Sequence, residues 1–147
     1  MRLIKILLAL LFINSFAYAD KNMKIGSKGS VNEVSRVIKV VMYDNYYEPS
    51  SFQINMGETI KFEVENAGEL VHEFNIANKM MHIKHQPEME KMVENEILFA
   101  DTIDKVKMKK MAKTDKSMGH SHSNSVLLEP KQKGEIIWKF DNAINIE

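Results

Sequence analysis

The sequence predicts an all-β fold, a sandwich or barrel of short strands, broken by one long insertion that is helical or disordered. Three observations carry this reading. Thr59, Lys61, Glu63 and Glu65 alternate with Ile60, Phe62 and Val64, the period of two expected of a half-buried strand. Turn residues divide 36–76 into four short strands, a spacing typical of sandwiches and barrels. Strand patterning then stops over 77–124 and returns from Ser125 onward.

The N-terminus has the form of an export signal. Arg2 and Lys5 precede the apolar run Ile6–Ile13, and Ala17-Tyr18-Ala19 is a small-x-small cleavage site. A spanning helix needs about 20 apolar residues, and Asn14 and Ser15 interrupt the run before that. Residues 1–19 are therefore expected to be a signal peptide, with a periplasmic or otherwise exported chain beginning at Asp20. Loss of Arg2 and Lys5 leaves 18 basic against 20 acidic residues, a net charge of −2. No basic stripe for nucleic acid accompanies it, and no later run is long enough to span a membrane. Cysteine is absent, so disulfides play no part despite the oxidising destination.

Residues 20–35 are polar and contain Gly and Ser without periodicity, which predicts a flexible leader. Arg36–Tyr43 is β-branched and predicts a first strand. After breaks at Asp44-Asn45 and Pro49, Phe52, Ile54 and Met56 alternate with Gln53 and Asn55 as a second short strand ending at Gly57. The Thr59–Val64 strand follows. Asn66-Ala67-Gly68 then turns the chain, with Gly expected to supply a positive φ. Beyond the turn, Leu70, His72, Phe74 and Ile76 share one face of a strand, and Val71, Glu73 and Asn75 the other. On alternation alone His72 reads as a core histidine bonded to backbone, with metal ligation as the alternative.

Within 77–124, Met89, Met92, Val93 and Ile97 recur at helical spacing, and Pro87 suits a first helical turn. The chain holds 11 methionines, which fill core gaps and also suit soft-metal ligation. Met118, His120 and His122 lie together in a Gly/Ser-containing stretch, and His-x-His brings two imidazoles close in an extended chain. They form a candidate loop site. His82 and His85, one helical turn apart, are weaker candidates, and Lys107–Lys113 reads as a solvated helix face. Ser125–Leu128, the turn at Glu129-Pro130, Gly134–Phe140 and a start near Ile144 complete the β pattern.

Taken in order, Asp44, Tyr47 and Pro49, then Gly57-Glu58-Thr59, then Asn66-x-Gly68 leading to His72-Glu73-Phe74, resemble the opening half of exported cupredoxins, the plastocyanin/azurin-like copper proteins. VLLEPKQKGEIIWKF is similar to the penultimate part of that family. The resemblance implies a Greek-key cupredoxin-like β-sandwich over 36–147, with 77–124 inserted and the last strand truncated. It implies copper as the cofactor, His72 as the first copper histidine, and electron transfer or copper handling with a redox or copper-handling partner. The family's Cys, His and Met would follow on the last strand, and this sequence has no cysteine. A thiolate-based blue centre is therefore expected to be incomplete. The alternatives are a copper buffer or chaperone using the Met/His loop, or a domain without metal function. No nucleophile–base pair or phosphate loop stands out, so an enzyme is not expected.

Overall fold

The computed structural model describes residues 25–141. In chain order its strands are β1 (Ser27–Lys28), β2 (Arg36–Met42), β3 (Tyr47–Glu48), β4 (Thr59–Asn66), β5 (His72–Asn75), β6 (Ser125–Leu128) and β7 (Lys133–Lys139). Helices α1 (Lys79–Glu94) and α2 (Lys105–Met111) lie between β5 and β6. The larger sheet has the order β1-β7-β4-β2-β3, and β5 pairs with β6 in a second sheet. At the centre, β4 runs parallel to β2 and antiparallel to β7, with Phe62 opposite both Ile38 and Ile136.

The alternation in β4 faces the way its chemistry requires. Ile60, Phe62 and Val64 are buried, while Lys61, Glu63 and Glu65 lie toward solvent. Lys61 bridges Glu63 and Glu135 on that outer face. From β7, Ile136 and Trp138 join the core, followed by Phe140; Phe74 and Leu128 enter it from the second sheet. Phe62 sits at its middle, with its ring centroid 5.4 Å from Phe52, 5.3 Å from Phe74 and 6.3 Å from Phe140.

The insertion is a second packed layer. Met92, Ile97, Ile103 and Met118 form a separate buried cluster, against which Val71, just before β5, and Leu127 of β6 pack. The two-stranded sheet is thus covered on both faces: His72's face carries Phe74 into the sandwich core, and the opposite face carries Val71 toward the helices. Asn78 caps α1 by accepting from the Met81 N–H at 3.0 Å, and Asp104 caps α2 through the Lys107 N–H at 2.8 Å. Helical order replaces the disordered alternative.

Several expectations are corrected. From Ile25 onward the leader belongs to the fold: Ile25 is buried, and β1 pairs with β7. Residues 52–56 make no strand, although Phe52 and Ile54 still pack on the core. Alternation there reflects which side is buried, without a ladder. Pro87 lies inside α1 instead of at its start, because the Asn78 cap begins the helix earlier. At Gly68 the requirement is space, since a Cβ would collide with the Asp44 carboxylate; positive φ belongs to Gly26 and Gly57. The signal peptide, residues 20–24 of the leader and the strand expected near Ile144 lie outside the described residues.

Glu129 fastens the insertion to the sandwich. Its carboxylate accepts from the Ile103 N–H at 2.9 Å and the Thr102 hydroxyl at 3.1 Å, and pairs with Lys105. Lys105 above all, then the Ile103 amide, hold its pKa down at about 2 from an ordinary 4.5. A depressed carboxylate stabilises the fold above its unfolded pKa and loses that contribution as pH falls through the folded value. Glu129→Gln is therefore expected to flatten the fall of urea midpoint between pH 4.5 and 2. An unchanged slope would remove Glu129 from the acid response.

Candidate metal centre

His72 begins β5, directly after the turn that follows β4. Its Nε2 lies 2.9 Å from Asp44 Oδ1, and the same carboxylate accepts from the backbone N–H groups of Glu69 and Leu70. The hydrogen bond to His72 is the main reason the Asp44 carboxyl sits below the ordinary range, with burial opposing and the Leu70 and Glu69 amides adding to it. The Asn66 side chain fixes the same turn from within. It donates to the Leu70 and Leu128 carbonyls at 2.8 and 2.9 Å and accepts from the Gly68 N–H. His72 is thus held firmly at one end of the second sheet, with Asp44 engaging one ring nitrogen.

The outer face of that sheet holds a different group. His85 and Glu88 come from α1, one turn apart; His120 and His122 come from the stretch leading into β6. One ligand atom from each of the four lies within 4.8 Å of every other. The three imidazole centroids form a triangle with sides of 5.1 Å. His85 Nε2 and His120 Nε2 are 3.3 Å apart, and His122 Nε2 is 2.8 Å from Glu88 Oε1. Glu73, on the outward side of β5, closes the group from below at 3.1 Å from His85 Nε2 and 3.2 Å from His120 Nε2.

Local backbone explains how His120 reaches inward. It follows the 3-10 turn Lys116–Gly119 in the left-handed region, at φ 43° and ψ 49°. For a residue other than Gly this costs on the order of 1–2 kcal/mol. The side chain is only 3% exposed, whereas His122 at 36% leaves the group open to solvent. Burial pushes the Glu73 carboxyl up, but the hydrogen bond and charge of His120, together with His85, outweigh it and hold Glu73 below the ordinary carboxylate range.

The donors suit a metal ion. Ligands about 2.1 Å from an ion lie roughly 3–4 Å apart, so a set already within 4.8 Å needs a closure of only about 1–2 Å. Two carboxylates supply negative charge facing a cation, and the imidazoles supply borderline nitrogen donors. Of the residues expected to ligate, His120 and His122 meet here. Met118 is buried with Met92, Ile97 and Ile103 in the second cluster, where its thioether serves packing. His72 lies on the opposite face of β5, paired with Asp44.

His85, Glu88 and Glu73 are the residues that the sequence undervalued. The His85-x-x-Glu88 spacing carries a helical signal, since residues three apart share a face. Glu73 carries none, because a charged residue opposite a core face reads as solvated.

Comparison with known proteins agrees with this architecture. A family model described as a cupredoxin-like domain matches residues 5–102, a span that includes α1 and therefore extends into the insertion. The chain is similar to the copper-resistant cuproprotein CopI of Pseudomonas aeruginosa, 34% identical over 128 residues, covering 83% of this chain and 71% of that protein. It is also similar to the copper-resistant cuproprotein CopI of Rubrivivax gelatinosus, 25% identical over 129 residues, covering 87% of this chain and 64% of that protein. Two sheets enclosing one apolar core, with β5 presenting His72 after its turn, are in keeping with this match, and the chain belongs to the cupredoxin-like domain family.

Proposed function

We propose that this protein is an exported, periplasmic copper-handling protein that holds the ion on His85, His120 and His122, with Glu88 and Glu73 supplying charge. The observation that carries the proposal is the convergence of three imidazoles and a carboxylate from two distant segments on one face of β5. Similarity to relatives named for copper resistance supports copper as the cargo. The role is binding and release, as a buffer or as a donor to a copper-handling partner, without a catalytic step.

A thiolate-ligated blue centre does not fit the residues present, because the sequence contains no cysteine. Cu(II) added to the protein is expected to give pale imidazole-type absorption and no intense thiolate-to-copper band. Equilibrium dialysis should find one tight site, lost in the double variant His85→Ala/His120→Ala. Retention of that site in the variant, checked as folded by circular dichroism, would sink the proposal.

A second reading assigns electron transfer through His72, in keeping with the family resemblance. It is favoured by one observation: Asp44 engages Nε2 and fixes the ring, leaving Nδ1 as the other donor atom. His72→Ala discriminates the two, since it should leave copper binding at the three-histidine group intact.

A further inference from the structure

We infer that the histidine group selects copper in its divalent state, Cu(II), over Cu(I), which makes it a store for the oxidised ion. This inference rests on the copper reading above. It follows from which donors surround the group and which are committed elsewhere.

The first argument is the donor set. Imidazole nitrogens from His85, His120 and His122 meet carboxylate oxygens from Glu88 and Glu73. Carboxylates are hard, anionic donors that favour the more highly charged ion, while Cu(I) is selected by thiolate and thioether sulfur. Both carboxylates are mostly shielded, each with 15% of its side chain exposed. Their charge is thus screened less than at an open surface.

The second argument concerns sulfur. The insertion is rich in methionine, and composition alone would assign those thioethers to Cu(I). The fold commits most of them to packing: Met92 and Met118 are buried in the second cluster, Met89, Met108 and Met111 pack against it, and Met81 packs on the sandwich core, while Met80 is exposed. The segment that carries His120 and His122 therefore presents nitrogen toward α1 and sulfur toward the apolar cluster. Among divalent ions, the general order of affinity for nitrogen and oxygen sites places Cu(II) above Zn(II).

The test is a pair of competition titrations on the full exported chain. Cu(II) is competed against a nitrogen chelator of known affinity, and Cu(I) is competed anaerobically against a bathocuproine chelator. The expected result is Cu(II) binding at least about a hundredfold tighter than Cu(I). An axial paramagnetic resonance spectrum with nitrogen splitting should accompany it. Met118→Leu and Met108→Leu, which conserve volume, should leave both affinities unchanged. Cu(I) held as tightly as Cu(II), or weaker binding of either ion in a methionine variant, would overturn the inference. So would displacement of Cu(II) by equimolar Zn(II). If copper in either state binds equally well to His85→Ala/His120→Ala, the site reading itself fails. If the copper is lost in that variant but Cu(I) is the tighter ion, only the oxidation-state inference fails.

Discussion

Saturating the histidine group with Cu(II) is expected to raise the thermal midpoint by about 12–20 °C. A ligand that binds only the folded state adds about 4 kcal/mol at a thousandfold excess over its dissociation constant. For a domain of this size each kcal/mol moves the midpoint by roughly 3–5 °C. The structural reason for a full effect is that the ligands belong to three separate pieces of the fold: Glu73 on β5, His85 and Glu88 on α1, and His120 and His122 before β6. An ion there ties the helical layer to the sandwich. Calorimetry with and without Cu(II) measures the shift, and hydrogen exchange in α1 should slow in parallel. The shift should vanish in His85→Ala/His120→Ala. A shift that survives in that variant would place the ion elsewhere.

Phe62→Ala is expected to cost about 3–5 kcal/mol, the usual range for removing a large buried aromatic ring. Phe62 is fully buried, lies on the central strand β4, and touches aromatic rings from three other segments, Phe52, Phe74 and Phe140. The cavity would open where both sheets meet, and β4 is flanked by β2 and β7, so neighbouring strands have little freedom to collapse into it. Such a loss is a large part of the roughly 5–15 kcal/mol that holds a domain folded. Denaturant midpoints for Phe62→Ala and Phe62→Leu measure it, with most of the stability retained in the leucine variant. A cost below about 1 kcal/mol in Phe62→Ala would mean that the core is centred elsewhere.

The two outcomes probe different layers. Phe62 reports on the sandwich, and the histidine group reports on the docking of the insertion. Glu129 also links the two layers, accepting from Thr102 and Ile103 directly after β6 where it starts the turn into β7. Its acid response should therefore track release of the helical layer.

The sequence by itself determined the central strands and their faces. Ile60, Phe62 and Val64 point inward, and so do Ile136 and Trp138, because a strand's side chains alternate and only one side can leave water. It also determined that these 147 residues hold no cysteine for a thiolate centre, and that His120 and His122 lie together. It misread 52–56, because alternation registers burial and cannot register whether a neighbouring strand supplies hydrogen bonds. Only the tertiary structure decided the metal centre. His85 and His120 are 35 residues apart, and they meet because α1 packs across the outer face of β5 and β6 through Met92, Val71 and Leu127. The same packing turned Glu73 from a solvated position into a buried partner of two imidazoles and drew Met118 into apolar contact. Local pattern fixes which way a side chain points from its own strand or helix. What it then faces depends on how two layers dock, and that is set by contacts between residues far apart in the chain.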